Sequence, residues 1–174
     1  YKVVQNVVDL ISFSCQPKET TQGNTRFIHI SNLDYAKNIW EMLSGFKNFL
    51  ASGYTGELLI HAPKNIELNK MRGLLGLQSH VILRGEDKQS SLAESIRNSD
   101  ALILFSRYET FGIVAIEANA CGVPVITSNY PTFNETIENY KTRLGYYPKE
   151  VLVDKIYCNR ENRVAIKKLG IALR

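Results

Sequence analysis

The stretch Glu109-Thr110-Phe111-Gly112-Ile113-Val114-Ala115-Ile116-Glu117-Ala118-Asn119-Ala120-Cys121-Gly122-Val123-Pro124-Val125-Ile126-Thr127 decides the fold. The apolar run Leu102–Phe105 before it reads as a strand, and Ser106–Phe111 as the loop that follows. A helix then starts at Gly112 and runs to Cys121. Gly122 stops it, in the place where a left-handed residue is favoured. Val123–Ile126 is the next strand. A helical crossover between two neighbouring strands runs them parallel.

The same pattern repeats outward. Short apolar runs occur at Phe27–Ile30, Leu58–Ile60, Val81–Leu83, Ala101–Phe105 and Val123–Ile126. None alternates with period two, which is how strands covered on both faces read. Stretches long enough for helices separate them: Ala36–Ala51, Ile66–Leu75, Ser90–Ser99 and Gly112–Ala120. In the first of these, Ile39, Trp40, Leu43, Phe46 and Leu50 fall at helical spacing. The fold class is therefore α/β, a Rossmann-like doubly wound parallel sheet with helices on both faces. Residues 26–174 form this domain, and 1–25 read as a linker or edge segment. Beyond Pro131 the pattern weakens to helical stretches at Asn134–Thr142 and Arg160–Leu169 around the apolar run Val151–Val153. Ligands of such sheets bind beyond the carboxyl ends of the strands. The loops to watch are Ser31–Lys37, Arg84–Gln89, Ser106–Phe111 and Thr127–Thr132.

Composition excludes several classes. A chain of 174 residues with 44% hydrophobic content fits one globular domain. No apolar run approaches the roughly 20 residues of a membrane helix, and no signal peptide is expected in this stretch. The chain begins at Tyr1, so it reads as a domain cut from a longer protein. Net charge is +4 with scattered basic residues. Without an aromatic-and-basic stripe, nucleic acid is not an expected partner. Cys15, Cys121 and Cys158 lack metal or redox spacing and fit a reducing compartment. Cys121 is expected to be buried packing, and His29, His61 and His80 are expected to be structural.

Three features of the opening stretch point to a ligand. Glu117 is the one charge of an otherwise apolar helix, and a buried carboxylate must be paired or bind something. Helical side chains lean toward the N-terminus, so Glu117 reaches back toward the loop bearing Glu109. Gly112 at the helix start lets a ligand approach the backbone, and free N–H groups there suit a phosphate. Carboxylates accept paired hydrogen bonds from vicinal hydroxyls. The ligand expected is polyhydroxylated and phosphorylated.

Glu109 and Glu117 with seven residues between them, Phe111-Gly112 inside, and Ala120-Cys121-Gly122-Val123-Pro124-Val125 after them resemble the donor-site motif of the retaining family-four glycosyltransferases (glycosyl transferases group 1), which have the GT-B fold. The likeness extends upstream to Ser31–Asn38 and Asn98–Ile103, and the start, Val3–Asp9, looks like the linker entering the C-terminal domain of that family. The resemblance implies that Glu109 binds hydroxyls of the transferred sugar and Lys37 neutralises the leaving diphosphate. These two are the expected catalytic residues. It implies that backbone N–H groups at Phe111, Gly112 and Ile113, beside Thr110, hold the diphosphate. Glu117 would take the ribose diol, and the backbone around Arg84 and Gly85 the base. Asn32 stands where the family usually has an arginine, leaving the missing cation to Arg84 or Arg107. His61-Ala62-Pro63 replaces a common Gly-x-Gly, and 129–135 lacks the family's small residues.

The function implied is donor binding for a retaining, metal-independent transferase. It would move a hexose-type sugar from a UDP- or GDP-sugar to a glycan or lipid-linked acceptor, in bacterial surface polysaccharide synthesis. No cofactor is expected, and there is no Asp-x-Asp to chelate a metal. The acceptor-binding N-terminal domain of that family is read as absent from this stretch, and the isolated domain is expected to bind donor without transferring it. The expected location is cytoplasmic, with peripheral contact at the inner membrane through the parent protein. Alternatives are a catalytically degenerate nucleotide-binding module and a GT-B nucleotide-sugar epimerase.

Overall fold

The structure is a computed structural model that describes residues 8–17, 24–109 and 112–128, and the backbone of 151–153. Among the described residues six strands form one sheet: β1 (Thr25–Ile30), β2 (Gly56–His61), β3 (Val81–Arg84), β4 (Ala101–Leu104), β5 (Val125–Thr127) and β6 (Val151–Val153). Their order is β3-β2-β1-β4-β5-β6, and every pairing is parallel. The described helices are α1 (Ile39–Ala51), α2 (Ile66–Leu74), α3 (Gln89–Arg97) and α4 (Ile113–Ala120).

Parallel strands need a crossover each, and right-handed crossovers place helices by direction of travel. The chain steps β1 to β2 to β3 one way, then returns past β1 to β4 and β5. Two cores result. Leu58, Ile60 and Val81 pack with Met42, Leu43 and Phe46 of α1 and Leu68 of α2. Ile28, Leu102, Leu104 and Val125 pack with Ala93 and Ile96 of α3 and Ala115 and Ala118 of α4. Strand order reverses between β1 and β4, and ligands of such sheets bind outside the carboxyl ends of the strands at a switch point of this kind. That switch point positions the site.

The expected doubly wound sheet is present, with local differences. Helix α1 starts at Ile39 rather than Ala36, because Asn38 takes a left-handed φ of 53° and ends a separate 3-10 turn at Tyr35–Lys37. Trp40 does not join the apolar stripe; it is 43% exposed, and Met42 is buried instead. Ile39, Met42, Leu43 and Phe46 keep the i, i+3, i+4, i+7 face, and Trp40 lies one step round it. In the segment before β1, Phe13 is 1% exposed and packs in the α3/α4 core. Arg97 Nη1 donates to the Ser12 carbonyl at 2.8 Å, fastening that turn to α3. The run at Val151–Val153 is the strand β6. The helical stretches expected at 134–142 and 160–169, and the loop 129–132, lie outside the described residues.

Helix α4 ends as its sequence demands. Gly122 has φ 78°, and a Cβ there would lie 2.9 Å from Cys15 Sγ. Gly122→Ala is therefore expected to lower unfolding free energy by about 1–2 kcal/mol from the left-handed φ alone, and more from the clash. An unchanged urea midpoint would contradict this.

Candidate functional site

The candidate site is built from two loops that the sheet makes neighbours. After β1, the chain turns through Leu33 (φ 63°) and Asn38 (φ 53°), both left-handed without being glycine. Backbone strain of this kind persists only where its surroundings fix it. Here the support is His29, buried inside β1. Its Nδ1 donates to the Ile103 carbonyl at 2.8 Å, and its Nε2 accepts from Ser31 Oγ at 2.8 Å. Ser31 Oγ in turn accepts from the Leu33 N–H at 3.2 Å. Burial, aided by nearby Lys37, holds the imidazole pKa down to about 4, so it stays neutral and keeps these roles. His29 is structural as expected, and so is His80, whose Nδ1 lies 3.1 Å from the Gly56 carbonyl.

The loop after β4 is stapled to this turn. The Arg107 N–H donates to the Ala36 carbonyl at 2.7 Å. Its guanidinium donates to Glu41 at 2.9 Å and lies 4.8 Å from the Tyr35 ring centroid. This brings together the two residues assigned to catalysis from sequence, which are 72 positions apart. Lys37 Nζ donates to Glu109 Oε2 at 2.8 Å, with the side chains only 18% and 10% exposed. Ser106 Oγ also reaches Glu109 at 3.4 Å.

Gly112 begins α4 in the left-handed region, φ 68° and ψ 42°. Only glycine adopts this readily, a requirement that spacing alone did not reveal. Gly112 has no side chain with which to cap the helix, and the first N–H groups of a helix have no intrahelical partner. Behind them Glu117 is 8% exposed, and no ion pair holds it among the described residues. Burial pushes its carboxyl up to about 7. The lysine or arginine partner that would make Glu117 merely structural is not found among the described residues.

The remaining sequence candidates are more peripheral. Asn32 is exposed and donates to Asp34 at 3.2 Å. Arg84 and Gly85 are exposed at the end of β3, the outer strand. Arg107 donates to Glu41 and lies against the Tyr35 ring. Thr110 and Phe111 lie outside the described residues. Cys121 is buried as expected. No group of His, Cys, Asp or Glu suited to a metal ion occurs among the described residues, and no described helix is long and apolar enough to cross a membrane.

A parallel sheet whose strand order reverses between β1 and β4, with helices packed against it, is a Rossmann-like fold. Residues 15–166 match the family described as Glycosyl transferases group 1, and the chain belongs to that family, as its motif implied. It is 25% identical over 154 residues to glycogen synthase of Mycobacterium tuberculosis, covering 86% of this chain and 36% of that protein. It is 32% identical over 120 residues to N-acetyl-alpha-D-glucosaminyl L-malate synthase of Bacillus anthracis, covering 68% of this chain and 30% of that one. The chain thus spans about a third of the length of these curated relatives. Among solved structures, the C-terminal domain of a glycosyl transferase group 1 protein from Francisella tularensis superposes with a TM-score of 0.65 at 18% identity, covering 94% of this chain and 86% of that one. A lipopolysaccharide outer core galactosyltransferase superposes with a TM-score of 0.67 at 20% identity, over 99% of this chain and 48% of that chain. The fold is that of one half of a GT-B glycosyltransferase.

Proposed function

We propose that this chain binds the nucleotide-sugar donor of a retaining, metal-independent glycosyltransferase. The diphosphate lies across Gly112 between Lys37 and the start of α4. The sugar lies at Glu109 and the ribose at Glu117. The observation that carries this reading is the Lys37–Glu109 pair, held at 2.8 Å at the switch point. A lysine there can neutralise charge that develops on the departing diphosphate, and a helix N-terminus adds to it, with no metal required. Glu109 holds that lysine in place and presents its carboxylate to sugar hydroxyls.

The acceptor is proposed to be a glycan or lipid-linked glycan bound by a second domain, with the transfer taking place on the cytoplasmic side of the membrane. Similarity to a galactosyltransferase of lipopolysaccharide outer core supports a hexose-type sugar and a surface-polysaccharide role. Calorimetric titration of the chain with UDP- and GDP-sugars tests the donor reading. Dissociation constants from micromolar to millimolar, roughly 4–8 kcal/mol, are expected. They should be the same with magnesium and with excess chelator. A binding signal that vanishes on chelation would remove metal independence, and no signal with either donor would remove the reading itself.

A further inference from the structure

One buried polar side chain at the carboxyl edge of the sheet has no part in the site described above. His61 ends β2 and is 4% exposed. Its neighbours in register are Ile30 on β1 and Arg84 on β3. Leu58 and Ile60 face the α1/α2 core and Leu59 the opposite one, so strand alternation turns His61 to the α3 side. There it meets the turn 85–88 that leads into α3. Its Nδ1 lies 3.3 Å from Asp87 Oδ2, yet the contact is not aligned as a hydrogen bond. Neither ring nitrogen has a hydrogen-bond partner among the described residues.

A buried imidazole without hydrogen bonds carries a desolvation penalty that an apolar residue would avoid. Packing therefore does not account for histidine at 61. Burial, with Arg84 adding to it, lowers the pKa against the pull of Asp87, so the neutral ring is favoured. The neutral ring can still turn an Nδ1–H toward the carboxylate. Residues 85–88 are all exposed, and the Asp87 carboxylate approaches the sheet at His61.

We propose that His61 and Asp87 form a clamp on the base side of the donor site, in which the imidazole fixes Asp87 and Asp87 fixes the turn whose backbone meets the nucleobase. This rests on the donor-binding reading, which puts the base at Arg84–Gly85. His61 is a positioning residue in this account, because its ring nitrogens are sealed from solvent.

The test is calorimetry of the wild type and of His61→Leu, His61→Asn, Asp87→Ala and the Leu/Ala double variant, with UDP, GDP and inorganic pyrophosphate as ligands and melting curves alongside. His61→Leu is expected to melt at or above the wild-type temperature, because it removes unpaired buried nitrogens. It should bind the preferred nucleotide about fivefold more weakly, the scale of one net hydrogen bond. Its pyrophosphate affinity should be unchanged. His61→Asn, which keeps a side-chain donor, should recover part of the loss. The double variant should be no weaker than either single one. Unchanged nucleotide affinity in His61→Leu, an equal loss for pyrophosphate, or additive losses in the double variant would each overturn the clamp. If the wild type binds neither nucleotide, the donor reading fails and the clamp falls with it. If the wild type binds and His61→Leu matches it, the clamp alone fails.

Discussion

Lys37→Ala is expected to weaken UDP or GDP binding by about 10- to 100-fold, the scale of a charge-assisted hydrogen bond of roughly 1.5–3 kcal/mol. In a transfer assay of the whole enzyme, turnover should fall by about 10²–10³-fold, as when one preorganised donor to a developing anion is removed. The effect should be large because the site has few substitutes. Asn32 carries no charge, and Arg107 donates to Glu41 and lies against the Tyr35 ring. The partner variant separates the two roles. Glu109→Gln frees Lys37 from the carboxylate 2.8 Å away, so diphosphate affinity should hold or rise. Transfer should still drop, because the sugar loses its carboxylate. Wild-type nucleotide affinity in a folded Lys37→Ala protein would show that the lysine does not face the diphosphate.

The second large effect is a pH dependence set by Glu117. Its carboxyl is raised from 4.5 to about 7 in the unliganded protein by burial. The ionised form accepts the two ribose hydroxyls, so binding favours loss of the proton. Affinity should therefore climb as pH rises toward 7, approaching tenfold per unit on the acid side, and level off above it. Binding between pH 6 and 7 should release protons, seen as an enthalpy that varies with buffer. Glu117→Gln should abolish the climb and weaken binding at pH 8. Subtracting it from the wild type removes titration of the ligand's own phosphates. Folding linkage has its own sign. Because the folded pKa lies above the unfolded one, the favourable contribution is full below pH 4.5 and is lost as pH rises through 7. The unliganded protein should thus lose stability from pH 5 to 8 relative to Glu117→Gln. A flat affinity profile in the wild type would refute the ribose role.

Much of this architecture could be read from local signals. The apolar runs from Phe27 to Ile126 gave strands because both faces of a parallel sheet are covered. Gly122 marked the end of α4 because the left-handed position there excludes most side chains. The pairing of Lys37 with Glu109 was not legible as a contact. Nothing in the spacing shows that Arg107 bonds to Ala36 and draws the two loops together. The break at Asn38 was hidden for a similar reason, since helical periodicity continues through it while the backbone does not. Trp40 is hydrophobic enough for the stripe, but its angular position on α1 turns it toward solvent. Phe13 joins the core from a stretch with too little pattern to announce it.

The most direct measurement is calorimetric titration of the chain with UDP and with GDP at pH 8, comparing wild type with Glu117→Ala. The account predicts saturable one-to-one binding of at least one nucleotide by the wild type. It predicts a loss of about tenfold or more in the variant, the scale of a hydrogen-bonded charge removed from a ribose diol. Equal affinities for the two folded proteins, or no binding of either nucleotide by the wild type, would contradict it.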